Sequence, residues 1–340
     1  MSEPDKNILD VRKLEVSFFT DEGEVCAVNE VTFSMRRGKV MALVGESGCG
    51  KSVTAYSILR LIQRPGRIMA GEIVFQPDEG APVDILKLRE DADALYDLRG
   101  GKISMIFQEP MTAMSPVHTV GNQMCEALLI HQKLTPEAAA LKAVDMLRKV
   151  GIPGAERRLA QYPFEMSGGM RQRVMIAMAL LCNPQVLIAD EPTTALDVTI
   201  QAQIMFLMKK LQKDLGTSIL LITHDLGVVA QMADDVAVMY LGRIVEQGDV
   251  RTLVRSPLHP YTMGLIACLP DLAMGKTRLH SIKGSVPPLA AIPPGCPFHP
   301  RCPYSQPGLC DVGAPPRLEA AEPTHSVACV RAKQIREMRT

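Results

Sequence analysis

Residues 40–52 read VMALVGESGCGKS, and this stretch decides the fold of the chain. Its first five residues form an apolar run, which predicts a buried strand. The rest fits the pattern G-x-x-x-x-G-K-S, in which glycines let successive backbone N–H groups point at phosphate oxygens. The lysine of such a loop bridges the β- and γ-phosphates, and the serine hydroxyl ligates Mg²⁺. The stretch therefore predicts a strand, a phosphate-binding loop and a helix that begins at about Gly50 or Lys51.

Two further segments carry groups suited to phosphate chemistry. The apolar run Val186–Ala189 is followed by Asp190 and Glu191. Carboxylates at the end of a buried strand are costly for stability, so their placement indicates function, and one of them can hold Mg²⁺ through a water molecule. The segment Met166-Ser167-Gly168-Gly169-Met170 predicts a helix start whose free N–H groups attract an anion.

These three segments, in this order, resemble the ATP-binding-cassette (ABC) ATPases. The resemblance implies an α/β fold of the P-loop NTPase type, with a RecA-like core, an antiparallel β subdomain and a helical subdomain at about residues 111–167. It also implies that the phosphate loop binds ATP together with Mg²⁺. The usual signature of this family is Leu-Ser-Gly-Gly-Gln, and methionine stands at both of its ends here.

The resemblance assigns roles to individual residues. Glu191 would polarise the attacking water, and His224 would contact the γ-phosphate. The signature residues Ser167, Gly168 and Gly169 would reach the nucleotide of a second ATPase subunit, and Ala195-Leu196-Asp197 would touch that subunit. The expected Mg²⁺ ligands are Ser52, Gln108 and Asp190. The expected ATP-binding residues are Phe18 (with Phe19 as the alternative ring against adenine), Gly45, Glu46, Ser47, Gly48, Cys49, Gly50, Lys51, Ser52, Val53 and Gln108.

The composition is that of a soluble globular protein, with 47% hydrophobic residues and 37 basic side chains against 37 acidic ones. The balanced charge produces no field that favours nucleic acid. No apolar run reaches the roughly 18 residues that span a bilayer, and the polar residues 1–6 lack a signal-peptide core. We therefore expect a cytosolic chain whose contact with a membrane goes through other proteins.

The resemblance implies an ABC cassette at residues 1–255, and the shift to proline- and cysteine-rich sequence predicts an appended extension at residues 256–340. Strand candidates at 103–107, 218–223 and 236–240 alternate with helical patterns, which predicts a mostly parallel sheet covered on both faces. Thr135-Pro136 is expected to cap and begin a helix that ends at Gly151.

Two segments narrow the resemblance to the ATPase subunits of bacterial peptide and nickel importers: Gln108-Glu109-Pro110-Met111-Thr112 and Leu258-His259-Pro260-Tyr261-Thr262. Such a subunit is peripheral, on the cytoplasmic face of the inner membrane. Its implied partners are a second and different ATPase chain, two transmembrane permease subunits and, indirectly, a periplasmic substrate-binding protein. The expected cargo is a dipeptide or oligopeptide. The alternatives are nickel or glutathione import and a non-transport ABC ATPase.

The extension is rich in proline and contains four cysteines. It holds 14 of the 25 prolines, and Cys296, Cys302, Cys310 and Cys329 follow the spacing C-x5-C-x7-C-x18-C. A small, loop-rich unit usually needs a cross-link such as a disulfide or a bound metal to be stable. Four thiolates suit either tetrahedral zinc or a [4Fe–4S] cluster, and unligated thiols are the third alternative. Importers of this family with such a tail hold a [4Fe–4S] cluster there, so the resemblance implies a cluster.

Two further expectations concern reactivity and coupling. Cys49 lies in the phosphate loop at a helix N-terminus, where a thiol pKa is typically lowered. We therefore expect Cys49 to react with alkylating agents and to be protected by Mg-ATP. The extension lies far in sequence from Lys51 and Glu191, so we expect it to take no direct part in hydrolysis.

Overall fold

The computed structural model describes residues 7–108, 113–193, 197–268 and 282–338. Its strands are β1 Asn7–Thr20, β2 Gly23–Arg36, β3 Val40–Val44, β4 Gly66–Phe75, β5 Val83–Asp84, β6 Ile103–Ile106, β7 Val186–Asp190, β8 Ser218–Thr223, β9 Asp235–Tyr240, β10 Arg243–Asp249, β11 Glu319–Glu322 and β12 His325–Val327. Its helices are α1 Lys51–Ile58, α2 Asp93–Leu98, α3 Val120–His131, α4 Pro136–Lys149, α5 Ala155–Arg158, α6 Gly168–Leu180, α7 Val198–Leu215, α8 Leu226–Met232, α9 Val250–Arg255, α10 Pro260–Ala267 and α11 Ala332–Glu337. The mixture of sheets and helices confirms the predicted α/β class.

The chain divides into two compact units. The signature unit is formed mainly by Phe75–Ile222, and the phosphate-loop unit by Leu9–Ser34, Val40–Val74 and Thr223–Thr340. Each unit is described by itself below.

Parallel strands form the centre of the signature unit. β7 lies between β6 and β8, with Val186 opposite both Ile103 and Ser218. Every residue of these three strands is buried, as expected for a parallel sheet covered on both faces. The predicted strands at 103–107, 186–189 and 218–223 are therefore confirmed to within one residue at their ends.

Helices account for the segment between β6 and β7. α3 packs against α4, and α6 packs against β6. α4 begins as predicted, because the Thr135 hydroxyl accepts the Ala138 N–H at 3.3 Å and Pro136 occupies the first helical position. Within residues 120–158 the chain forms α3, α4 and α5.

In the phosphate-loop unit, the extension continues a sheet. β3 is parallel to β9, which is antiparallel to β10. β10 pairs with β12, and β12 with β11, so that Glu246 lies opposite Val327. A second sheet places β1 between β2 and β4. The hairpin of β11 and β12 therefore gains backbone hydrogen bonds from a strand that precedes it by more than seventy residues.

Aromatic rings join this sheet to the extension. Tyr240, Tyr261 and Phe298 are buried in one core with Val44 and Val238. The ring centroid of Tyr240 lies 4.7 Å from that of Tyr261 and 5.3 Å from that of Phe298. Aromatic side chains bury large areas each, so these contacts hold the extension on β9, the strand that pairs with β3 before the phosphate loop. Within the described ranges, no helix is long and apolar enough to cross a membrane.

Candidate nucleotide site

The phosphate loop follows β3, and two of its glycines are required by close backbone contacts. A Cβ on Gly45 would lie 2.2 Å from the carbonyl oxygen of Met239. Gly50 has φ 103°, in the left-handed region, and a Cβ there would lie 2.4 Å from the carbonyl oxygen of Ala27. Any side chain at these positions would displace backbone, so the loop keeps its shape only with glycine.

The ammonium of Lys51 is held over the loop. Lys51 is 5% exposed, and its Nζ donates to the carbonyl oxygens of Gly45 at 2.8 Å and Glu46 at 3.0 Å. α1 begins at Lys51 as predicted, so the first N–H groups of the helix open toward the loop. Ser52 and Val53 lie half-buried in its first turn, while Ser47 and Gly48 are exposed at the tip of the loop. The arrangement places an ammonium group and the N–H donors of a helix start beside one loop, as phosphate binding needs.

Cys49 differs from its sequence-based expectation. The thiol is 1% exposed, and burial raises its pKa, although Lys51 opposes the shift. The Lys51 ammonium lies 3.7 Å from Sγ, which is too weak an interaction to offset the loss of water. The prediction of a lowered thiol pKa at Cys49 is therefore wrong.

In the signature unit, two carboxylates end β7. Asp190 is fully buried, and Glu191 follows with φ 45°, a strained conformation for a residue other than glycine. The Glu191 N–H donates to the carbonyl oxygen of Ile222 at 2.9 Å, which stabilises this turn. The Gln108 amide lies 3.4 Å from Glu191 Oε2. The fold thus brings together two residues that the sequence predicts to serve the same reaction.

The signature segment forms a capped helix start. The Ser167 hydroxyl accepts the Met170 N–H at 3.4 Å at the N-terminus of α6. Gly168 is exposed and Gly169 half-buried, whereas Met166 is 4% exposed and anchors the segment. This exposed helix start, with its dipole and N–H groups, can receive an anion from outside the unit.

The remaining predicted residues differ in their exposure and in the contacts they make. His224 is exposed directly after β8. Phe18 is half-buried against Gly66, and Phe19 is 39% exposed with the Arg67 guanidinium 5.4 Å from its ring centroid. Asp197 caps α7 by accepting the Ile200 N–H at 2.9 Å. Ala195, Leu196, Glu109, Pro110, Met111 and Thr112 lie outside the described residues.

The extension contacts the phosphate loop directly, which the distance in sequence did not suggest. The Tyr261 hydroxyl accepts the Glu46 N–H at 2.8 Å. The Arg301 guanidinium donates to both oxygens of the Glu46 carboxylate, at 2.6 and 2.9 Å. The sequence singles out the segment around Tyr261, but nothing in that segment indicates a contact with the phosphate loop.

The four cysteines of the extension line one cavity. Burial raises the pKa of Cys296, Cys302 and Cys329 to about 11 each, while backbone N–H groups of Phe298, Tyr304 and Arg331 bond to their sulfurs and oppose the shift. Cys310 is buried, and its sulfur accepts the Gln306 N–H at 3.5 Å. In the described part of the chain, no group of three or more His, Cys, Asp or Glu side chains is close enough to hold a metal ion, so the predicted metal site is not confirmed.

Comparisons with known proteins agree with the geometry. Residues 28–194 match the family model described as ABC transporter, and residues 245–310 match the model described as Oligopeptide/dipeptide transporter, C-terminal region. The chain is 47% identical to the oligopeptide transport ATP-binding protein OppD of Salmonella typhimurium, over 97% of this chain and 95% of that protein. It is 48% identical to the dipeptide transport ATP-binding protein DppD of Bacillus subtilis, over 95% of this chain and 94% of that protein. The fold is similar to that of a dimeric ATP-binding cassette bound to ADP and Pi, with a TM-score of 0.62, 26% identity and coverage of 72% of this chain and 99% of the other.

Proposed function

The chain belongs to the ABC transporter family, and we propose from this premise that it is the ATP-hydrolysing subunit of a peptide importer. The observation that carries the proposal is similarity to peptide-transport ATP-binding proteins over nearly the full length, the extension included. The phosphate loop supports it, since the Lys51 ammonium lies against a loop whose shape requires glycine at positions 45 and 50.

We assign the chemistry residue by residue. Lys51 and N–H groups among residues 47–53 bind the phosphates, while the Glu46 N–H is engaged by the Tyr261 hydroxyl. Glu191 polarises the attacking water and His224 contacts the γ-phosphate. Ser52, Gln108 and Asp190 are the proposed Mg²⁺ ligands, and the bound ion would neutralise charge that develops on the phosphates. The hydrogen bond from Gln108 to Glu191 supports a shared role for these two side chains.

The exposed helix start at Ser167 supports a composite site. A helix N-terminus of this kind is suited to the γ-phosphate held by a second ATPase subunit, which we propose to be a different chain. Two membrane permease subunits and, indirectly, a periplasmic binding protein complete the proposed assembly on the cytoplasmic face of the inner membrane. Val117, Ile130 and Phe164 are each at least 66% exposed in the signature unit and provide apolar surface for a protein partner. Dipeptides or oligopeptides are the proposed cargo.

We further propose that Cys296, Cys302, Cys310 and Cys329 hold a [4Fe–4S] cluster, with zinc as the alternative. The described side chains are not arranged as a metal site, so the support for the proposal is the cavity that the four cysteines share and the N–H donors on three of their sulfurs. Because burial keeps the thiols of Cys296, Cys302 and Cys329 protonated up to high pH, binding must release protons. Metal analysis and visible absorption of protein purified without oxygen test the site. About four irons per chain support the cluster, one zinc per chain favours the alternative, and no metal refutes both.

The function is tested by ATPase and peptide-uptake assays on the complete complex in vesicles. Glu191→Gln is expected to lower ATP turnover at least about 100-fold while Mg-ATP still binds, because it removes a positioned general base. Lys51→Ala is expected to abolish binding instead. Near-normal hydrolysis by the Glu191→Gln complex would refute the role of Glu191, and ATP-independent peptide uptake by the wild-type complex would refute the function.

A further inference from the structure

We propose that Arg301 positions the phosphate loop through Glu46, so that the extension sets the affinity of the site for ATP. Arg301 contacts Glu46, the second residue of the loop, and acts on the nucleotide-binding groups of the loop through Glu46. It is therefore a positioning residue. The inference rests on the proposed ATPase function of this loop.

Glu46 is held from three sides. Its carboxylate receives both arms of the Arg301 guanidinium, at 2.6 and 2.9 Å. Its N–H donates to the Tyr261 hydroxyl at 2.8 Å. Its carbonyl oxygen accepts the Lys51 ammonium at 3.0 Å, so the position of Glu46 bears directly on the lysine that binds phosphate.

The guanidinium itself is rigidly placed. The Arg301 side chain is 4% exposed, against 28% for Glu46. It also donates to the Lys283 carbonyl oxygen at 3.2 Å and to the Tyr240 hydroxyl at 3.4 Å. Its carbon centre lies 5.9 Å from the ring centroids of both Tyr240 and Phe298. Because the planar guanidinium is fixed in this way, it favours one position of the Glu46 carboxylate. A lysine ammonium is a single point charge and would not favour one position.

The backbone that presents Arg301 is also the backbone that presents two cysteines of the extension. Arg301 lies in the short turn His299–Arg301, and the N–H groups of His299 and Cys302 donate to the carbonyl oxygens of Cys296 and His299, at 2.9 and 3.3 Å. The loop is therefore tied to a hydrogen-bonded turn of the extension. An intact extension is thus expected to hold the loop in its binding conformation.

The experiment measures Mg-ATP affinity of the purified full-length chain by calorimetry. Arg301→Gln and Glu46→Gln are each expected to raise the dissociation constant about tenfold, the scale of one charge-assisted interaction. The double variant should be no worse than either single one, because the two residues act as a pair. Arg301→Lys should recover only part of the loss, and in the assembled complex KM should change more than kcat. Arg336→Gln is the matched control, since it breaks the exposed pair with Glu322 in the same extension.

Single variants within twofold of wild-type affinity, or additive losses in the double variant, would overturn the inference. If Arg301→Gln does not fold, Tyr261→Phe removes only the hydroxyl that accepts the Glu46 N–H. A folded Tyr261→Phe chain is expected to bind Mg-ATP about threefold more weakly, as for a neutral hydrogen bond, and unchanged affinity there would also overturn the inference. Lys51→Ala separates the two proposals. If wild type binds Mg-ATP and Lys51→Ala does not, unchanged binding in Arg301→Gln refutes the role of Arg301 alone. A wild-type chain that binds no Mg-ATP refutes the ATPase function instead.

Discussion

Replacement of Glu246 by glutamine is expected to loosen the attachment of the extension. Glu246 lies on β10 with no exposed surface. Its carboxylate accepts three hydrogen bonds, from the N–H groups of Leu258 and His259 at 2.7 and 2.9 Å and from His325 Nε2 at 2.7 Å. These partners lie at the start of α10 and on β12, so one side chain joins two parts of the extension to the sheet.

The magnitude follows from counting acceptors. Glutamine offers one carbonyl oxygen and one NH₂ group, so at least one of the three donors faces another donor. Each hydrogen bond to a charged group contributes about 1.5–3 kcal/mol, and the loss of one or two of them costs about 3 kcal/mol. A change of this size raises the population of locally opened states about 100-fold.

Hydrogen–deuterium exchange with mass spectrometry measures this opening. The amides of Leu258 and His259 are expected to exchange about 100-fold faster in Glu246→Gln than in wild type. Glu319→Gln is the control, because Glu319 is exposed on β11 of the same extension. Exchange at Leu258 and His259 within threefold of wild type would refute the reasoning that this buried carboxylate holds the extension in place.

Two further outcomes are expected. Ser167→Arg should lower hydrolysis at the phosphate loop of the partner ATPase at least about 10-fold, on the scale of a lost transition-state contact. Mg-ATP binding to this chain should stay unchanged. A full rate of hydrolysis in the mixed complex would contradict the composite site. Below pH 9, Cys49 should be alkylated more slowly than an exposed thiol, and its alkylation should become faster as the pH rises through its raised pKa, because only the thiolate reacts. Mass spectrometry that finds rapid labelling of Cys49 in the folded chain at pH 7 would contradict burial as the dominant cause of the pKa shift.

The sequence by itself determined the features that depend on neighbouring residues. The phosphate loop, the buried strand before it and the helix that begins at Lys51 follow from a continuous pattern, and the structure places them as predicted. The Thr135 cap and the strands of the signature unit were readable for the same reason. Propensity, capping and periodicity act over a few residues, so a linear pattern contains them.

The environment of each side chain was decided only by the tertiary structure. Cys49 has the local setting of a reactive thiol, yet packing removes it from water and reverses the direction of its pKa shift. Arg301 and Glu46 are 255 residues apart, and nothing in the sequence near either one indicates the other. Desolvation and long-range ion pairs depend on which surfaces meet in three dimensions, and that is established by the whole core rather than by any segment of the chain.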